Sequence, residues 1–224
     1  MRLLSYNLEK HRAANELLDL ERAASPSIIC LQEARTDELP PKLGSLELFA
    51  ATENNRLGLA IYGNRELYEV KSTLARGFKK TLHDRIAMPA FERLLGVDLQ
   101  ERASGRSFAV ASFHASPLTS SNKHRRLEIM EGLSTLDELS GNSALLMAGD
   151  YNYPIFQARL NKTLEAAGYK AHFSDLRTYQ KSIFRGHFDF LTSKGCEIDW
   201  VRTLPRGRSD HKPILMETQL AMAV

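Results

Sequence analysis

Short apolar runs recur along the chain, most of them closed by a polar residue. Those at Arg2 to Asn7, Ser27 to Glu33, Leu57 to Tyr62, Ser107 to His114, Ala144 to Asp150, His187 to Ser193 and Pro213 to Thr218 are rich in Val, Ile, Leu and aromatics and predict β-strands. Several are apolar at nearly every position, the pattern of strands covered on both faces. Helical periods lie between them at Ala13 to Ala24, Asn122 to Leu139 and Phe156 to Ala167. In the second, Leu127, Met130, Leu133 and Leu136 form the expected buried stripe, and Ser120 or Ser121 the expected cap. Such alternation predicts a layered α/β or α+β domain. No repeat or linker interrupts it and Pro40-Pro41 reads as a loop, so residues 1–224 are expected to form one domain.

Composition narrows the class. A chain of 224 residues buries about 70% of its unfolded surface and needs no disulfide scaffold. Cys30, in an apolar run, and Cys196, between Gly195 and Glu197, read as reduced thiols, which suggests a reducing, cytoplasmic setting. No apolar run nears the eighteen or so residues of a membrane span, and Met1 to Asn7 reads as a strand entering the core rather than a signal peptide. A net charge of +3 is compatible with a polyanionic partner without requiring one.

The polar residues that close the runs are of one kind. Asn7, Glu33, His114, Asp150 and Asn152 stand at strand ends and Asp189 just inside one, where a rigid core projects side chains into a shared crevice. Singly, each is more often a turn former or a cap. Together they fall in an ordered series: Leu4-Ser5-Tyr6-Asn7, Leu31-Gln32-Glu33, Ser112-Phe113-His114, Gly149-Asp150-Tyr151-Asn152, Phe188-Asp189-Phe190 and Ser209-Asp210-His211-Lys212-Pro213. This series resembles the endonuclease/exonuclease/phosphatase superfamily, which includes deoxyribonuclease I. The resemblance runs from Asn7 to Pro213. It implies a four-layered α/β sandwich, two packed mixed β-sheets flanked by helices, and Mg²⁺-dependent hydrolysis of phosphate esters, with Mn²⁺ as a substitute ion.

The residue types suit that chemistry. Mg²⁺ prefers carboxylate and amide oxygens, which makes Glu33 and Asp210, with Asn7 beside them, suitable ligands. The resemblance sets Asp150 and Asn152 against the attacking water and the phosphate. Two residues apart, they share one side if the strand continues past Ala148. His211 can take a proton from water or hydrogen-bond the phosphate, and a carboxylate on its other nitrogen would fix its tautomer. Asp189, twenty-one residues before Asp210, is the expected partner, with Asp199 as competitor. His114, followed by Ala115-Ser116-Pro117, resembles the deoxyribonuclease I branch, where the equivalent histidine assists the leaving group.

The expected substrate is a nucleic acid, with DNA first, and the expected state a monomer. Basic clusters at Arg76, Lys79, Lys80 and Arg85, at Lys123 to Arg126, and at Arg202, Arg206, Arg208 and Lys212 could hold successive phosphates or be solvated surface. Tyr153, Phe156 and Phe184 could stack on bases or pack in the core. The competing readings are a phosphatase or phospholipid phosphodiesterase of the same superfamily, or a catalytically silent binding module. Retention of Asn7, Glu33, Asp150, Asn152, Asp210 and His211 argues for chemistry.

Overall fold

A computed structural model describes residues 1–78, 91–141, 143–181 and 184–219. Two mixed sheets dominate it. The first joins seven strands: β1 (Arg2–Asn7) lies between β2 (Ile28–Ala34) and β15 (Ile214–Gln219), with β14 (Glu197–Thr203) outside β15 and β5 (Gly58–Gly63), β4 (Leu46–Ala51) and β3 (Lys42–Leu43) beyond β2. The second joins six in the order β10 (Lys170–His172), β13 (Asp189–Lys194), β9 (Ala144–Asp150), β8 (Ser107–His114), β7 (Glu92–Glu101) and β6 (Tyr68–Gly77). A small hairpin, β11 (Tyr179–Lys181) and β12 (Phe184–Gly186), stands apart from both. None of the described helices is long and apolar enough to cross a membrane.

Side-chain parity makes this a sandwich. Along a strand alternate residues face opposite ways. Leu3, Ile28, Cys30, Phe108, Val110, Leu146, Ala148 and Leu191 meet between the sheets. Their neighbours Leu4, Ile29, Leu31, Ala60 and Tyr62 face outward against α1 (Leu17–Ala24). Ala109, Ala111, Phe113, Leu145 and Met147 face the other way, against α2 (Asn122–Ser140) and α3 (Gln157–Ala166). Helix, sheet, sheet and helices make the expected four layers. Cys30 and Cys196 are buried and unbridged.

Helix α2 starts as expected, with Ser121 Oγ accepting the His124 amide at 3.2 Å, yet it buries a different face. Ile129, Gly132, Leu133 and Leu136 are buried with Arg125 and Glu128, whereas Leu127 is 59% exposed. Each step of three residues falls about 60° short of a full turn, so Leu127 and Leu136 cannot share a face. The first helix is shorter than its pattern: Ala14–Glu16 is a 3₁₀ turn and α1 begins at Leu17.

Candidate active site

The inward parity that builds the apolar core ends, at one edge of the sandwich, in polar residues. Continuing the inward series, β1 presents Ser5 and Asn7, β8 presents Ser112 and His114, and β9 presents Asp150. β13 runs antiparallel to β9 with Asp189 opposite Asp150, and β8 runs parallel with His114 beside Asp150. One row of the six-stranded sheet therefore reads His114, Asp150, Asp189. Facing it, β15 pairs antiparallel with β1, which brings the preceding Ser209-Asp210-His211 segment to the end of β1. Ser209 Oγ fixes that approach, donating to the Asn7 carbonyl at 2.7 Å and accepting the His211 amide at 3.0 Å.

The side chains form a chain of charge. His211 Nδ1 donates to Asp189 Oδ2 at 2.8 Å, and His211 Nε2 lies 3.8 Å from both Asp150 Oδ2 and Asp210 Oδ1. His114 Nε2 lies 3.7 Å from Asp150 Oδ2 and 4.0 Å from Glu33 Oε1. Asn7 Nδ2 donates to Asp150 Oδ2 at 3.1 Å, and its Oδ1 accepts the Glu9 amide at 3.0 Å. All eight expected residues converge here. Asn7 and Asp189 support it from beneath, and the other six line an open cavity of about 550 Å³. Asp199 sits exposed in β14, so Asp189 is the partner of His211.

Backbone geometry explains how Glu33 and Asn152 reach the cavity. Ile28, Cys30 and Gln32 face inward, so an unbroken β2 would turn Glu33 outward. The pairing with β5 shifts between Leu31 and Ala34, and Glu33 takes a left-handed φ of 53°, which redirects it. Asn152 (φ 48°) is not extended as expected. The strand stops at Asp150, whose Oδ1 accepts the Asn152 amide at 2.9 Å in an Asx turn, and Asn152 Nδ2 donates to the Ala115 carbonyl at 3.3 Å. Gly149 precedes that turn because a Cβ there would lie 1.9 Å from the Phe113 carbonyl oxygen.

Several supporting residues escape a reading of the sequence. Buried Glu128, on α2, accepts the Ser116 amide at 3.0 Å and the Ser116 hydroxyl at 2.6 Å, and lies 3.8 Å from buried Arg93. Arg93 Nη1 in turn donates to the His114 carbonyl at 3.2 Å, so this charged pair holds the segment that carries His114. Charged residues on a helix and at a strand start read as surface, and no local pattern marks this pair. Thr178 Oγ1 accepts the amides of Phe188 and Asp189, and the Tyr179 ring lies 4.8 Å from that of His211.

The basic clusters are mostly absorbed by the fold. Arg125 donates to the Pro117 and Ser120 carbonyls, Arg126 to the Tyr153 hydroxyl, and Arg206 to the Ser209 and Gln180 carbonyls. Arg202 lies over Trp200, and Tyr153 is fully buried. Phe156 is exposed. Lys79, Lys80, Arg85 and the side chain of Phe184 lie outside the described residues.

No family model and no curated protein matches this sequence. Solved structures do. The human Nocturnin catalytic domain with bound sulfate anion superposes with a TM-score of 0.79 at 15% identity, covering 99% of this chain and 94% of that one. TDP2 of D. rerio, complexed with single strand DNA product, gives 0.77 at 16% identity over 96% and 97%. An endonuclease/exonuclease/phosphatase from Bacteroides vulgatus gives 0.75 at 13% identity over 98% of each chain. The chain has the endonuclease/exonuclease/phosphatase fold.

On that fold the charges of this chain are unevenly matched. Asp150 is pushed up to about 7 by burial, with Asp189 and Glu33 adding to the effect against the pull of His211 and the Asn152 amide. Burial works against a charge on His211, but Asp189, Asp150 and Asp210 outweigh it and raise the imidazole to about 10. Four carboxylates thus surround two imidazoles, a donor set whose excess negative charge and oxygen chemistry fit a hard divalent cation. Asp150, Asp189 and His211 bring one donor atom each within 4.8 Å. The hydrogen of the 2.8 Å contact occupies the Asp189–His211 pair, however, which leaves Glu33, Asp150 and Asp210 as the carboxylates that face the cavity.

Proposed function

We propose that this protein is a divalent-metal-dependent phosphodiesterase, a nuclease acting on DNA, and a cytoplasmic monomer of one domain. The observation that carries this reading is Asp150, a buried carboxylate facing the Nε2 atoms of two histidines, each flanked by a further carboxylate. Its fold is shared with structures that include a complex with single strand DNA product.

In this reading Glu33 and Asp210, with Asn7 beside them, hold Mg²⁺ or Mn²⁺. A bound ion would neutralise a phosphate oxygen and stabilise charge on the leaving oxygen. Asp150 orients the attacking water, with Asn152 against the phosphate. His211, oriented by Asp189, binds the phosphate through Nε2 when charged, or takes the water's proton in its neutral form. His114 donates to the leaving oxygen. Asn7, hydrogen-bonded to Asp150 Oδ2, keeps that carboxylate aimed into the cavity.

The test is nicking of supercoiled plasmid with Mg²⁺, beside an EDTA control and the Glu33→Ala and His211→Ala variants. Metal-dependent nicking lost in both variants is the expected result. Plasmid left intact while 4-nitrophenyl phosphate is hydrolysed would replace the nuclease by a phosphatase.

A further inference from the structure

We propose that a groove beside the catalytic cavity, formed by Arg177, Arg185 and Lys212, binds a second phosphate of the substrate, the one next to the scissile phosphate in a single-stranded nucleic acid. This inference deepens the phosphodiesterase reading and rests on it.

The groove has a volume of about 450 Å³ and lies on the flank of the β11–β12 hairpin. Tyr179 lines it and the catalytic cavity alike, so the two spaces adjoin across one aromatic ring. The groove is also tied to the catalytic segment by backbone hydrogen bonds. The Lys212 amide donates to the Thr178 carbonyl at 2.7 Å, and the Gln180 amide to the Asp210 carbonyl at 3.2 Å. A phosphate held in the groove would thus sit at a fixed offset from His211.

Charge distinguishes this groove from the basic side chains that the fold takes up. Arg93, Arg125, Arg126 and Arg206 spend their guanidinium groups on protein carbonyls, a hydroxyl or a carboxylate. Arg177 and Arg185 are exposed, and neither they nor the Lys212 ammonium make an ion pair or side-chain hydrogen bond to a described residue. Among the described residues that line the groove the one carboxylate is Asp175, whose Oδ1 accepts from the amides of Thr203 and Leu176 and the Thr203 hydroxyl, and three cations outweigh its single charge. His187 also lines the groove, and its buried Nδ1 has no hydrogen-bond partner among the described residues.

Unpaired cations in a concavity next to a phosphate-ester site suit a second anionic group. An aromatic ring between two phosphate positions suits a strand whose bases are free to stack, rather than a duplex.

The experiment is an anisotropy titration of a fluorescein-labelled oligothymidylate in EDTA over a range of NaCl concentrations, with wild type, Arg177→Ala, Arg185→Ala and Arg185→Lys. Each alanine variant should weaken binding about threefold to tenfold and make the salt dependence shallower by about 0.7 in logarithmic slope, the signature of one lost phosphate contact on a single strand. Arg185→Lys should keep the wild-type slope. Mg²⁺-dependent hydrolysis of bis(4-nitrophenyl) phosphate, which has a single phosphate, should be unchanged in all three variants. Alanine variants with wild-type affinity and slope overturn the groove. Failure of the wild type to hydrolyse bis(4-nitrophenyl) phosphate with either Mg²⁺ or Mn²⁺ overturns the phosphodiesterase reading instead, so the two failures are separable.

Discussion

The two sheets furnish unlike halves of the candidate site. On the six-stranded side, His114, Asp150 and Asp189 are hydrogen-bonded neighbours by strand register, and each lies at a regular strand end. On the seven-stranded side the chain has to be bent to supply its share. Glu9, Lys10 and His11 have successive φ values of 44°, 57° and 70°, and Glu33 one of 53°. A left-handed conformation costs about 1–2 kcal/mol per non-glycine residue, so this half stores more strain than the other, where Asn152 (φ 48°) is the left-handed site residue. Hydrogen bonds hold the bent half in place: Lys10 amide to Glu33 Oε2 at 2.8 Å, Glu9 amide to Asn7 Oδ1 and Asp210 amide to Glu9 Oε2 at 3.0 Å. A regular sheet end provides a fixed row, and the irregular side is fitted to it.

His211 and Glu33 both come from the seven-stranded side, yet they are expected to differ in role, and variants should separate them. The largest effect is expected at His211, whose replacement by alanine should lower turnover of bis(4-nitrophenyl) phosphate by about 10²–10⁴-fold. Its Mg²⁺ affinity in a calorimetric titration should stay near wild type. Glu33→Ala should instead weaken Mg²⁺ binding itself, and equal loss of metal affinity in both variants would erase the distinction.

Asp189→Asn should cost about 10–100-fold in turnover, since it acts only through the imidazole it orients. It carries a second readout. In the metal-free protein His211 titrates near 10, above its usual 6.5, so its contribution to stability is present below 6.5 and lost as pH rises through 10. Without the Asp189 charge the imidazole should titrate lower by NMR, and the alkaline loss of stability in EDTA should move down with it. An unmoved His211 titration would remove Asp189 from its positioning role.

Glu128→Ala probes the fixed half at a distance from the chemistry. Removing one partner of a buried pair costs about 3–5 kcal/mol, so thermal unfolding should show a large loss of stability. Glu128→Gln, which can still accept from Ser116, should recover part of it.

Much of the fixed half can be read from the sequence, and less of its supports. Strand ends announce themselves where an apolar run stops at a polar residue, which is why β1, β8 and β9 fall on their expected limits. Strand β7 escapes notice because Gly96 and Asp98 break its apolar run; Gly96 packs closely there, as a Cβ would come within 3.2 Å of Leu136 and Leu139. Arg93 and Glu128 are charged residues whose burial depends on each other across distant segments. The hairpin strands of three residues each carry too little pattern to register, and with them goes Tyr179. What is missed is set by long-range pairing, not by local period.

The smallest expected effect bears on the strained half alone. Lys10 is exposed and left-handed, and its amide, not its side chain, bonds Glu33. Glycine adopts that φ without steric cost but loses about 0.5–1 kcal/mol more conformational entropy on folding. Relief of about 1–2 kcal/mol should exceed this, leaving Lys10→Gly more stable by about 0.5–1 kcal/mol and its melting temperature about 1–4 °C higher. The same change at Thr73, exposed where β6 pairs in register with β7, should lower stability by about the glycine cost. Opposite signs at the two positions would locate the strain in the half that bends, and equal losses would show that the bent half is no more strained than a strand.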